Sequence, residues 1–116
     1  MPGIVGMHDH IYYIARPNLD STGHGDEPLI VPQMTFSAPR LYLAAGVTTL
    51  RTTGNVEPYT DLNLKQQIDA GHIPGPHMDV TAPYLEGPGS PFIQMHQLTD
   101  AADARATVGF WASQGE

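Results

Sequence analysis

Short apolar runs alternate with amphipathic stretches along this chain, and glycines and prolines separate them. The run VTTLRT at residues 47–52 is rich in β-branched residues and predicts a strand that ends at Gly54. A weaker strand is predicted at residues 78–83, because Asp79 and the flanking prolines limit its pairing. The run PGIVGMHDHI at residues 2–11 predicts a first, short buried strand from its apolar side chains, Pro2, Ile4, Val5 and Met7.

Amphipathic segments predict three helices. A short helix is expected at residues 38–45, with Gly46 following it, and a second at about residues 61–70, with Gly71 as its stop. The last helix should begin at Thr99 or Asp100 and reach the vicinity of Gly115. Its apolar residues recur at helical spacing and predict a side that faces the core: Ala101, Ala104, Val108 and Trp111.

Two long loops complete the pattern, at residues 12–39 and 84–92. Each predicted strand precedes a helix, and hairpin turns are missing between the strands. The chain is therefore expected to be α/β, with a parallel sheet built from right-handed crossovers. Ligands bind such sheets outside the carboxyl ends of the strands, where His8, His10, Gly54 and the loop after Pro83 should lie.

Composition narrows the function classes. The 116 residues suit one small globular domain, since 41% are apolar and 15% are charged. A net charge of −7 without any basic cluster argues against nucleic acid and anionic membranes as partners. The lack of cysteine excludes disulfides, thiolate zinc sites and thiol catalysis. The sequence has no long apolar span and no signal-peptide pattern in its first ten residues, so we expect a soluble chain of unassigned compartment.

His8 and His10 are the strongest candidates for chemistry. Residues two apart on a strand project from the same face, so the two imidazoles can converge on one cation. Neutral imidazole suits zinc, iron, nickel or copper. A catalytic site would need further ligands and an open position for water.

Three segments in succession carry a family resemblance: PGIVGMHDH, AAGVTTLRTTGN and LKQQIDAGHIPGP. In this order they resemble the start of the barrel in the amidohydrolase superfamily, nearest to its imidazolonepropionase-like and Xaa-Pro-dipeptidase-like members. The resemblance implies a (β/α)8 TIM-type barrel in which His8 and His10 bind a divalent metal, with zinc the favoured ion and one or two ions in the whole enzyme. Gly6 departs from the family, because many relatives carry an acidic residue there.

The same resemblance implies that residues 1–116 are an incomplete barrel of three βα units. On this resemblance we expect residues 1–116 to lack the family's β-sandwich subdomain and strands four to eight, and Lys65, in the second predicted helix, cannot be assigned the role of the bridging lysine of strand four. We expect such a fragment to be marginally stable and to self-associate through its open sheet edges.

For the intact enzyme, the resemblance implies that metal-bound water hydrolyses an amide-like or cyclic C–N bond in a small-molecule or dipeptide-like substrate. No catalytic residue is assigned, and the chain alone is expected to be inactive. Tyr84 and His96 lie in or beside the third βα loop and are candidate substrate contacts.

Several of these residues also have a purely structural interpretation, and other function classes stay open. The threonines and Arg51 of GVTTLRTTGN are predicted to be structural, and the other histidines are predicted to be solvated: His24, His72, His77 and His96. One alternative is a small non-enzymatic metal-binding module with His24 as a third ligand. A flavodoxin-like or receiver-like domain ranks last, since the sequence shows no phosphate loop or acidic cluster.

Overall fold

The fold is built on a parallel sheet with helices between its strands. The computed structural model describes residues 1–12, 14–15, 17–26, 29–30, 36–90 and 95–115. In chain order the elements are β1 (Ile4–Asp9), β2 (Ile14–Ala15), β3 (Leu29–Ile30), α1 (Ser37–Ala44), β4 (Val47–Thr52), α2 (Pro58–Asp69), β5 (His77–Asp79) and α3 (Ala101–Gln114).

The main sheet has the order β1-β4-β5, and both neighbouring pairs are parallel. This confirms the predicted α/β class with a parallel sheet. The complete (β/α)8 barrel, and the assignment of residues 1–116 to part of one, stay predictions. β4 has the predicted bounds, since Gly46 and Gly54 flank it with φ angles of 85° and 70° that interrupt regular structure.

The register of β1 against β4 is irregular. It shifts between Ile4 and Val5, and again between Gly6 and Asp9. The second shift coincides with His8, and such irregularities re-aim side chains near functional sites. The simple strand alternation that predicted the histidine pair is therefore interrupted at the pair itself.

Two predictions, of a strand at residues 78–83 and of a loop at residues 12–39, did not give the observed extent of strand structure. β5 covers only residues 77–79, and beyond it Pro83 forms an isolated bridge with Asn55 instead of continuing the strand. Within the predicted loop 12–39, β2 and β3 pair in antiparallel fashion, so that stretch is not wholly irregular. Residues 27–28 and 31–35 of that loop, and residues 91–92 of the loop 84–92, lie outside the described residues.

The helices are close to expectation. α1 begins one residue before the predicted start, whereas α2 begins at Pro58 rather than at residue 61. Proline is well suited to the first helical position, because an amide hydrogen there would find no partner within the helix. Asp61 thus lies inside the first turn of α2, where a negative charge is favourable.

The core lies between the sheet and two helices, since α1 packs against β4 and α2 packs against β5. Leu50 of β4, Met78 of β5 and Leu64 of α2 are each no more than 2% exposed. Further buried apolar residues surround them: Ile11, Tyr12, Ala38, Val56, Val80 and Met95. Burial of this apolar surface is the main favourable term in folding.

β1 contradicts the prediction of a buried strand. Ile4, Val5 and Met7 are 51%, 56% and 61% exposed. The physical reason is its position, because β4 is its only sheet partner among the described residues and β1 forms an edge.

α3 contradicts the prediction of a core-facing helix. None of its residues is buried, and Val108 is 51% exposed. Its aromatic contact with α2 is through Trp111, whose ring centroid lies 5.1 Å from that of Tyr59. The predicted start is confirmed at Asp100, whose carboxylate accepts hydrogen bonds from the Ala102 and Asp103 amides at 2.7 and 2.9 Å. Among the helices in the described part of the chain, none is both long and apolar enough to cross a membrane.

Candidate metal centre

The predicted histidine pair lies at the carboxyl edge of the parallel sheet. His8 is the penultimate residue of β1, and His10 follows the strand directly. The two ring centroids are 5.5 Å apart, and the ring planes meet at 80°. The sequence-predicted candidates are thus brought together, whereas their role as metal ligands stays a prediction.

The chemistry of this donor pair fits a divalent cation, since imidazole nitrogen is a common ligand of zinc, iron, nickel and copper.

His10 has the electrostatic surroundings of a metal ligand. Its pKa lies below the ordinary value, first because the ring is partly buried and second because His8 is near, while Gly54 and Asp9 act in the opposite direction. A lowered pKa keeps the ring neutral at neutral pH, which is the form that binds metal.

The hydrogen bond between His10 and the Gly54 backbone raises the histidine pKa. Gly54 must therefore contribute its acceptor, the carbonyl oxygen, to a ring N–H. Metal-binding histidines commonly donate their second ring N–H to a backbone carbonyl, which fixes the tautomer and the ring orientation.

The backbone of His10 is held separately by α1. The Tyr42 hydroxyl donates to the His10 carbonyl oxygen at 3.0 Å. Burial raises the pKa of Tyr42 above its ordinary value, and the nearby Asp9 carboxylate acts in the same direction. Tyr42 therefore stays protonated and keeps its donor.

Hydrogen bonds join the residues at the end of β4 to Thr81, beyond β5, and sequence reasoning did not foresee this connection. The Thr81 amide donates to Thr52 Oγ1 at 2.9 Å, and the Thr81 hydroxyl donates to the Thr52 carbonyl oxygen at 2.9 Å. The Gly54 amide in turn donates to Thr81 Oγ1 at 3.1 Å. The residues are far apart in sequence, so local spacing carries no signal for this network.

A cavity of about 510 Å³ opens next to His8, between the strand ends and α3. Tyr84, Val108 and Trp111 are among the apolar residues that line it, and Arg51 also lines it. Tyr84, a predicted substrate contact, is thus beside the histidine pair. His96 is not among the residues that line this cavity. Its Nε2 lies 2.9 Å from the Asp103 carboxylate at the start of α3.

The other histidines are exposed, as predicted. His24 Nδ1 lies 2.8 Å from the Thr22 hydroxyl, and His72 Nδ1 lies 3.0 Å from Gln67 Oε1. Within the described ranges, no three His, Cys, Asp or Glu side chains are grouped to hold a metal ion, so His24 does not join the pair. Lys65 lies on α2, as expected, and pairs with Asp69 at 2.7 Å.

A solved crystal structure, of a "putative prolidase" from Bifidobacterium longum, is similar to this chain. The two share 30% sequence identity over 94% of this chain, with a TM-score of 0.60. The chain spans 23% of the length of that protein. No protein-family model and no curated protein matches the chain. The parallel α/β arrangement described above is therefore shared with part of a larger solved structure.

Proposed function

We propose that this chain carries the metal-binding first strand of a metal-dependent hydrolase of the amidohydrolase superfamily, which cleaves an amide-like or cyclic C–N bond. The observation that carries the proposal is the approach of the His8 and His10 rings to 5.5 Å at the carboxyl edge of a parallel sheet. The likeness to the Bifidobacterium longum protein supports the reaction class, since a prolidase hydrolyses an amide bond. In this proposal the three strands belong to a (β/α)8 barrel.

The residues present fit a divalent cation, with zinc the first candidate. His8 and His10 would hold it, and one or two ions would complete the centre of the whole enzyme. When bound, such a cation would supply Lewis acidity and would lower the pKa of a water toward neutrality. Partial burial lowers the pKa of His10, which favours the neutral ring that binds metal.

The cavity beside His8 would receive the substrate. Its volume of about 510 Å³ suits a small molecule or a dipeptide. Tyr84 and Trp111 provide flat apolar surfaces for a nonpolar group. The exposed Arg51 guanidinium lies within reach of a carboxylate, although it already pairs with Asp79 at 3.4 Å. A dipeptide-like substrate with an apolar ring and a free carboxylate matches this lining.

Metal titration of the full chain tests the histidine pair. Calorimetry with zinc should detect binding that is lost in both His8→Ala and His10→Ala, because each substitution removes one of two imidazole ligands. His72→Ala is the matched control, since it removes an exposed imidazole that binds Gln67. Zinc binding that survives both His8→Ala and His10→Ala would remove the proposed site. The chain alone should not hydrolyse dipeptides, and metal-dependent turnover would show that it carries more of the active site than proposed.

A further inference from the structure

Arg51 places a positive charge between two cavities of the molecule. It lines the cavity beside His8, and it also lines a second cavity, of about 380 Å³, together with the strand residues Thr49, His77 and Asp79. The chain has twelve acidic and five basic residues. Even so, no Asp or Glu of the described ranges lines the cavity beside His8. The charge of that lining therefore favours an anion.

Asp79 pairs with the Arg51 guanidinium from the side of the second cavity. The two residues are register partners on the parallel strands β4 and β5, so their side chains project from the same face of the sheet. Arg51 Nε lies 3.4 Å from Asp79 Oδ2, which is longer than the usual charge-assisted distance of about 2.7–2.9 Å. The guanidinium makes no hydrogen bond to the described part of the chain, so its N–H donors can engage a further acceptor.

The contact between Arg51 and Asp79 is weak enough to be displaced. The two side chains are 49% and 69% exposed, and exposed ion pairs contribute little to stability. A planar guanidinium can bind a carboxylate through two parallel hydrogen bonds, which a water-excluding cavity strengthens. A ligand carboxylate in the cavity beside His8 would therefore compete effectively with Asp79.

We propose that Arg51 anchors the carboxylate of a small apolar ligand in the cavity beside His8, and that Asp79 is a specificity-determining residue that competes for the same guanidinium. Tyr84 and Trp111, which line this cavity, would contact the apolar part of the ligand. The competition lowers the affinity for every carboxylate and so selects those whose apolar part also fits the cavity. That this ligand is the substrate rests on the proposed function, whereas carboxylate binding itself does not.

Two probes that differ in charge test the anchor on the full chain without metal. N-acetylphenylalanine has a carboxylate and an apolar ring, and N-acetylphenylalaninamide has the same ring with a neutral amide. NMR titration can follow the indole N–H of Trp111, which is the single tryptophan of the chain and lines the cavity. The native chain should bind the acid about tenfold more tightly than the amide, because its hydrogen bonds to Arg51 are charge-assisted.

Substitutions of Arg51 identify the group that makes this distinction. Arg51→Gln should bind the acid and the amide equally. Arg51→Lys keeps the charge but loses the forked donors, so it should keep only part of the preference for the acid. Equal binding of both probes by the native chain, or no shift of the Trp111 signal with either probe, would overturn the anchor. An unchanged preference for the acid in Arg51→Gln would overturn it as well.

Asp79→Asn tests the competition. It should tighten binding of the acid by about two- to fivefold, the range expected for loss of an exposed ion pair, and leave binding of the amide unchanged. Asp69→Asn is the matched control, since it also removes one negative charge and one ion pair, with Lys65 at 2.7 Å, but Asp69 lines neither cavity. Equal tightening by both substitutions would indicate a general effect of net charge and would overturn the role of Asp79.

Zinc titration of the native chain separates this inference from the proposed function. If the chain binds no zinc while the preference for the acid depends on Arg51, the proposed function fails and the anchor stands. If zinc binding depends on His8 and His10 while the acid and the amide bind equally, the anchor fails and the proposed metal site stands.

Discussion

β4 and β1 are neighbouring strands of similar apolar character, yet their surroundings differ. Leu50 and Thr52 of β4 are fully buried, whereas Val5 and Met7 of β1 are 56% and 61% exposed. β4 has a strand on each side and α1 packed against it, while β1 has a single strand partner among the described residues. The apolar sequence of a strand therefore shows which side chains can be buried. The elements that pack against the strand decide how far those side chains are buried.

The helices repeat this contrast. α2 contributes the buried Leu64 and Asp61, each 2% exposed, whereas no residue of α3 is buried. Val108 and Phe110 of α3 are 51% and 47% exposed. The stability of the described fold should consequently come from β4, β5, α1 and α2, with β1 and α3 contributing less.

The largest expected difference follows from truncating one side chain in each strand. Leu50→Ala should lower the free energy of unfolding by about 2–5 kcal/mol, because it leaves a cavity in a packed core. Val5→Ala should change it by about 0.5 kcal/mol or less, since that side chain is already half solvated. Urea unfolding followed by circular dichroism measures both. Similar losses for the two variants would mean that β1 is covered in solution.

Much of the fold could be predicted because its signals are local. The β-branched run of β4 lies between Gly46 and Gly54, and both ends are where the sequence places them. The predicted start of α2, at about residue 61, is three residues late, because the helix begins at Pro58 and proline is favourable at a first helical position. The exposure of β1 and α3 could not be predicted, since it depends on which elements pack against them.

The candidate site also has one part that local sequence spacing predicts and another that depends on tertiary contacts. The spacing of His8 and His10 predicted that the two side chains lie near each other, and their ring centroids are 5.5 Å apart, whereas their role as metal ligands stays a prediction. The His10 carbonyl oxygen accepts a hydrogen bond from Tyr42 of α1, and the nearby Gly54 is held through its amide by Thr81, two positions beyond β5. These contacts depend on strand order and on the positive φ of Gly54, which local spacing does not encode.

A smaller effect should follow from charging the exposed edge. We expect the chain to self-associate through β1 at high concentration, because an unpaired edge with Ile4, Val5 and Met7 exposed can pair with a second copy. Val5→Lys should weaken this association by about tenfold, equivalent to about 1.4 kcal/mol. Sedimentation equilibrium measures the change. Leu19→Lys is the control, since Leu19 is also about half exposed, at 53%, but lies in the loop between β2 and β3. An equal effect of both substitutions would indicate nonspecific hydrophobic association instead of edge pairing.

The smallest effect should appear in the pH response of α3. The hydrogen bond from His96 is the main reason that the pKa of Asp103 lies below its ordinary value, and the Thr99 amide acts in the same direction. A lowered pKa in the folded state means that these contacts stabilise the helix start above the unfolded pKa of about 3.9, and that this stabilisation is lost as the pH falls through the lowered value.

His96→Ala should therefore raise the pKa of Asp103 toward its ordinary value, which a carbon-13 NMR titration of the carboxyl group measures. The Asp69 carboxylate, whose pKa is lowered chiefly by Lys65, is the internal control and should not change. The urea midpoint should also stay constant, because α3 contributes no buried residue to the core. An unchanged Asp103 pKa would show that the contact with His96 does not persist in solution. A shifted urea midpoint would show that α3 is coupled to the core, and the contrast between α2 and α3 would then be weaker than their burial indicates.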